Sequence, residues 1–269
     1  MKAKLHIQTV LHNSITSLKQ CYFAAPFKVA NITEDKNSKQ LHLMLMSSSP
    51  GVLDDDEYEI KIETGEGCEM ELHTQSYQRL FNMKKGAKQL MEVYLDKGSS
   101  FVYLPHPAVP HEHSVFLAKN KIYLNDDCGL IWGEVVTCGR KLNGESFLLS
   151  KYHNVTEVLI NDKLVIKENL LMQPSLINPN LMGQLEGFTH QASFICINEK
   201  AKFMEIGDAA YEYLSLQKEI EFGITSPPVN GLILRILGYK AEQLFECLKA
   251  INKLMSAAIN KKAPQPVRR

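Results

Sequence analysis

A strand–turn–strand unit recurs along the middle of the chain and restricts the fold more than any other feature. The segments IKIETGEGCEMEL, VYLDKGSSFVYL and IYLNDDCGLIWGEV each set two alternating runs around a polar turn, and their glycines Gly67, Gly98 and Gly129 stand 31 residues apart twice. VLINDKLVI, around Asp162, continues the theme without a glycine. Alternation with a period of two, as at Leu5, Ile7, Thr9 and Leu11 or at Tyr58, Ile60 and Ile62, marks half-buried strands. A fixed period in this range fits stacked β-coils that cover one another's apolar faces. A β-sandwich of regular hairpins carries a similar pattern. The expected fold is mainly β, with solenoid-like (β-helix-like) layered sheets.

The pattern changes near residue 199. EKAKFMEIGDAAYEYLSLQK spaces its apolar residues helically, FGIT and GLILRILG read as short strands, and KAEQLFECLKAINKLMSAAINKK carries the stripe Leu244, Leu248, Ile251, Met255 and Ala258. The organisation expected is one domain over 1–269: strand-rich over 1–198, mixed helix and strand over 199–262, and a frayed tail at 263–269. The final 70 residues make a poor core alone, so the helices are expected to pack on the sheet.

Composition excludes several classes. Lys+Arg and Asp+Glu both number 30, so no basic excess points to nucleic acid. Zero formal charge also leaves the chain poorly protected against self-association, which predicts a need for a partner. The six cysteines are scattered without a CxxC pair and read as reduced, buried thiols. The opening MKAKLHIQTVLHNS is no signal peptide, and no apolar run approaches the ~20 residues of a membrane span, so the expected compartment is the cytosol. There is no GxxxxGK[ST], no helix-opening GxGxxG and no GxSxG.

Three places concentrate chemistry. YLPHPAVPHEHS, residues 103–114, holds His106, His111, Glu112 and His113 among three prolines. The prolines forbid a helix, and in an extended segment His111 and His113 would point to one side, as a weak, transient pair for zinc, nickel or copper. The alternatives are a proline-locked turn with solvated histidines, or a metal-dependent hydrolase built on His111, Glu112 and His113. SSSPGVLDDDEY, residues 47–58, puts four acids in a row after turn chemistry: a solvated turn or a cation cluster. Glu134 follows the only tryptophan within an apolar strand and must be paired if buried, either with Arg140 or Arg79 or in a cation or water channel.

In order and spacing, PFKV, SPGVLDDDEY, TQSYQRLFNM, the YLPHPAVPHE run, IWGE with the later GR, GESF and NGLILRILG resemble the urease accessory protein D family, called H in some species. The pieces run from residue 25 to about 237 and cover most of the chain. The resemblance implies a cytoplasmic maturation chaperone and not an enzyme. It would act with accessory proteins F and G, of which G is the GTPase, with accessory protein E bringing nickel. The complex would dock on the urease apoprotein and pass nickel ion to its active site, with no nucleotide bound by this chain. The family is also thought to contain an internal polar tunnel. Carried over by motif, Asp56, Ser76 and Glu134 would line it: Asp56 stands at the family acid, with Asp55 at a glycine place and Glu57 at a basic one. The histidines of the proline-rich run are not a fixed feature of the family.

Overall fold

A computed structural model describes residues 1–260, and the expected tail at 263–269 lies outside them. Two sheets face each other, and the chain winds between them. β1 (Lys2–His12) and β2 (Ile15–Phe23) form a hairpin in the first sheet; β3 (Phe27–Asn31) and β4 (Gln40–Ser47) form one in the second. Thereafter the strands alternate. β5 (Glu57–Thr64) lies in the first sheet, β6 (Glu69–Thr74) in the second, and the short β7 (Gln78–Leu80) lies to the side. The next circuit repeats this with β8 (Ala87–Leu95), β9 (Ser100–Tyr103) and β10 (Ala108–Pro110). β11 (Val115–Leu124) and β12 (Gly129–Thr137) follow, and β13 (Lys151–Ile160) turns back through β14 (Lys163–Met172).

This winding is the physical origin of the sequence period. Parallel neighbours pair one circuit apart: Glu57 with Lys88 in the first sheet, Glu69 with Ser100 in the second. The inward residues of both sheets form one core that includes Leu5, Ile62, Leu72, Phe101, Phe116 and Trp132. In the first two circuits the left-handed turn position belongs to Gly67 and Gly98, both with φ +66°. In the third it belongs to Asp127, φ 59°, and not to Gly129, which already lies in β12. The repeat read from glycine spacing is therefore real, but its third turn is marked by the wrong residue. Aspartate tolerates the left-handed region better than most side chains, which is why the glycine can be lost there. The VLINDKLVI unit is a hairpin and not a further circuit: Asn161 and Asp162, both at positive φ, link β13 to antiparallel β14.

The C-terminal reading holds element by element. β15 (His190–Asn198) extends the second sheet, α1 (Phe203–Ser215) follows, and β16 (Ile220–Thr225) and β17 (Gly231–Gly238) complete the sheet before α2 (Ala241–Asn260). Ile206, Ala210 and Leu214 of α1 and Leu244, Leu248, Ile251 and Met255 of α2 are buried against the outer face of the second sheet, with Val102, Ile131, Val135 and Phe194. β12 is consequently covered on both faces: Trp132 and Val136 look into the sandwich, Ile131 and Val135 look toward the helices. No helix among the described residues is long and apolar enough to cross a membrane.

Candidate functional site

Because side chains alternate along β12, Glu134 shares the inward face with Trp132 and Val136. A carboxylate there must be hydrogen-bonded. The first sheet supplies the partners from its own inward positions. Asn120 on β11 pairs in register with Thr156 on β13, and Asn154 lies two residues before Thr156. Asn154 Nδ2 donates to Glu134 Oε2 at 2.7 Å. Asn120 Nδ2 donates to Asn154 Oδ1 at 3.0 Å and to Thr156 Oγ1 at 2.9 Å, and approaches Glu134 Oε1 at 3.5 Å. The network joins the two sheets through the middle of the core. Arginine takes no part: Arg140 Nε donates to Glu145 at 2.9 Å, so the expected pairing of Glu134 with Arg140 or Arg79 gives way to an amide network.

With only neutral partners, burial pushes the Glu134 carboxyl up to about 7, against the opposing pull of Asn154 and Thr156. The buried indole Nε1 of Trp132 also favours the charged form, without making a hydrogen bond. Burial raises the hydroxyls of Tyr103 and Tyr152 as well, and the Glu134 charge adds to it.

Glu134 lines two cavities. One, of about 140 Å³, is also lined by Tyr58, Ser76, Tyr103, His106 and Asn120. The other, about 20 Å³, is lined by Asn154, Thr156, Glu168 and Ser193. One water needs roughly 10–15 Å³, so the larger space has room for several waters and the smaller for one. Ser76, exposed, lines both the larger cavity and an open surface groove of about 730 Å³ that includes His111, Arg140 and His190. Two of the residues singled out from sequence thus line one cavity, the exposed Ser76 and the half-buried Glu134.

Asp56 does something else. It is 2% exposed, and its carboxylate accepts from the Met1 amino group at 3.0 Å, the Leu53 N–H at 2.8 Å and the Tyr58 hydroxyl at 2.9 Å. It is not among the cavity-lining residues; it holds Tyr58, which is. The neighbouring Asp54 accepts from the N–H groups of Lys85 and Gly86 at 2.8 and 2.9 Å. Asp54 and Asp56 thus clamp the turn, while Asp55 and Glu57 keep exposed side chains beside Lys85 and Lys2.

The histidine run divides. His111 is 6% exposed, packs edge-on to Phe81 with ring centroids 4.8 Å apart, and has its imidazole pushed down by burial, with Arg140 adding to the effect. His113 occupies a left-handed turn position, φ 58°, and its side chain is 63% exposed. The expectation that both point to one side fails because the strand ends at Pro110 and a turn follows. His111, Glu112 and His113 do not converge on a point, which removes the geometry the hydrolase alternative needs. His106 lines the larger cavity, with Nδ1 3.0 Å from Thr74 Oγ1.

Asn120, Asn154 and Thr156 were not singled out from the sequence. The signal was present: Phe116, Ala118, Asn120 and Ile122 occupy one face of β11, and Tyr152, Asn154, Thr156 and Val158 one face of β13. A polar residue interrupts each inward run.

Comparison with known proteins decides the family. The model of the UreD urease accessory protein family matches residues 1–269. The chain belongs to the UreD family. It is 46% identical to the urease accessory protein UreD of Flavobacterium johnsoniae over 96% of this chain and 94% of that relative. It is 32% identical to UreD of Acetivibrio thermocellus, over 94% and 97% of the two chains, and 31% identical to UreD of Actinobacillus pleuropneumoniae, over 97% and 99%. A UreD chain serves as an accessory protein in making urease, and its polar core network sits inside that framework.

Proposed function

We propose that this UreD chain is a non-catalytic scaffold that passes nickel ion toward the urease apoprotein, working with accessory proteins F and G in the cytoplasm. Nickel is cargo in this reading, and accessory protein E supplies it. The observation that carries the proposal is Glu134: a half-buried acid between two sheets, with no cationic partner among the described residues, lining two cavities at once. A structural acid in a core is normally paired with a cation. Here its partners are neutral amides, and its remaining oxygen capacity faces space large enough for water or a hydrated ion. Oxygen donors with at most single imidazoles bind Ni(II) loosely compared with thiolates, and a handover protein must release its metal. Weak sites in series allow transfer, as in channels.

Ser76 and His106 on the same cavity add one hydroxyl and one imidazole to that path. Asp56 contributes indirectly, by fixing Tyr58. Reconstituted urease activation, with purified apoprotein, accessory proteins and nickel, tests the reading: Glu134→Gln and Glu134→Ala are expected to form the complex normally and to slow activation. A second reading as a hydrolase finds no support in the described geometry.

A further inference from the structure

The second sheet carries a separate cluster on its outer face, away from the cavities. In β4 the residues Leu41, Leu43 and Leu45 point into the core, which leaves His42 on the outer side. In parallel β6, Met70 and Leu72 point in, and Glu71 and His73 point out. The register places His42 directly beside Glu71, and Met44 beside His73, so three potential ligands come from adjacent strands of a rigid sheet. His42 Nδ1 lies 3.5 Å from His73 Nε2 and 3.6 Å from Glu71 Oε2; His73 Nε2 lies 3.5 Å from Glu71 Oε1. The two rings are stacked, 5.8 Å between centroids and 13° from parallel.

We propose that His42, Glu71 and His73 form a binding site for a late first-row divalent cation of the zinc type. Bonds of roughly 2.0–2.1 Å directed tetrahedrally put ligand atoms about 3.4 Å apart; the two imidazole nitrogens stand 3.5 Å apart, each lies 3.5 or 3.6 Å from a different oxygen of the Glu71 carboxylate, and one ligand atom from each residue falls within 4.8 Å of the others. Two imidazoles and one carboxylate are the donor set such ions take when one position stays open to solvent. The glutamate is the least exposed of the three, with a side chain 16% accessible, and its ion-pair partners are the two imidazoles. It therefore supplies a largely desolvated charge with no Lys or Arg among the described residues paired to it. His106 and, after it, Lys249 of α2 act on His73 electrostatically, and the Lys249 ammonium is paired with Glu246 at 2.5 Å. None of its residues lines the cavities beside Glu134, although His106, which does, acts electrostatically on His73.

Equilibrium dialysis of Zn(II) against the full-length chain at micromolar concentration tests it, with no urease in the assay. His42→Ala and His73→Ala are each expected to weaken binding on the order of a hundredfold or more, and Glu71→Gln at least about tenfold. Asp162→Asn, at the turn between β13 and β14, is expected to leave Zn(II) binding unchanged. A Co(II)-loaded wild type should give the intense visible absorption of a tetrahedral centre, which also decides the matter if a variant fails to fold. Wild-type affinity in His42→Ala or His73→Ala, an equal loss of binding in Asp162→Asn, or the weak spectrum of octahedral Co(II) would each overturn the assignment.

Discussion

Asp56, just before β5, and Glu134, in β12, do opposite work. Asp56 is fully satisfied: three donors within 3.0 Å, one of them the chain's own amino group. Removing it strands the buried Tyr58 hydroxyl and the part-buried Leu53 N–H, so Asp56→Ala is expected to cost about 2–4 kcal/mol, read by urea denaturation. An unchanged midpoint would show that the clamp contributes nothing. Glu134 is under-satisfied, and its signature is pH. Its folded pKa of about 7 exceeds the ordinary carboxyl value of 4.5. The folded state therefore holds a proton that the unfolded state has released between those values, and stability falls as pH rises through that window. The shift corresponds to roughly 3 kcal/mol at 1.36 kcal/mol per unit. Glu134→Gln should flatten this fall in thermal melts taken from pH 5 to pH 8. His190 acts with the opposite sign: burial depresses its imidazole to about 4, so its contribution is present above its ordinary value of 6.5 and lost as pH falls toward 4. Comparing wild type with Glu134→Gln cancels the His190 term.

At the scale of elements, the turns carry the repeat. Gly98 has φ +66° and nothing within 4 Å of where a Cβ would sit, so Gly98→Ala isolates backbone strain from crowding. It is expected to cost about 1–2 kcal/mol. Asp127→Gly, at the matching turn of the third circuit, should have the opposite sign; chemical denaturation of both variants checks the pair. These turns also show what was legible beforehand. Strand positions, both helices and the circuit length could be read because period-two and period-3.6 patterns are local, and because parallel strands one circuit apart repeat the same burial demand. The third turn was misassigned because a glycine in a strand and a glycine in a turn look alike in one dimension. The polar node was only half visible. Glu134 stood out against its apolar neighbours, whereas Asn120, Asn154 and Thr156 looked like ordinary strand polar residues until the register joined them. The same limit hid His42, Glu71 and His73, whose contact depends on the β4–β6 pairing. Conversely, adjacency in sequence made His111 and His113 look like a pair that a single turn separates.

The whole molecule places its polar network between sheets and leaves a good deal of apolar surface outside. On the hairpin at one end of the first sheet Val10, Leu11, Leu18, Tyr22 and Phe23 are all exposed, and the formal net charge is zero. Surfaces of that kind favour association when no charge opposes it. The lone chain is expected to aggregate on concentration, and co-expression with accessory protein F to keep it monodisperse in size-exclusion chromatography. A concentrated, monodisperse preparation of the chain alone would contradict this. The account as a whole rests on the core carboxyl as a station for cargo and not as a packing device. The direct measurement is nickel-dependent activation of urease apoprotein by the reconstituted accessory complex, with wild type beside Glu134→Gln, after each complex has been shown to assemble. Glu134→Gln keeps the shape and can still hydrogen-bond Asn154, but it loses the charge. The account predicts an intact complex and activation slowed at least about tenfold, the scale on which altered metal-site residues act. An intact complex with wild-type activation would contradict it and leave Glu134 as a residue of the core alone.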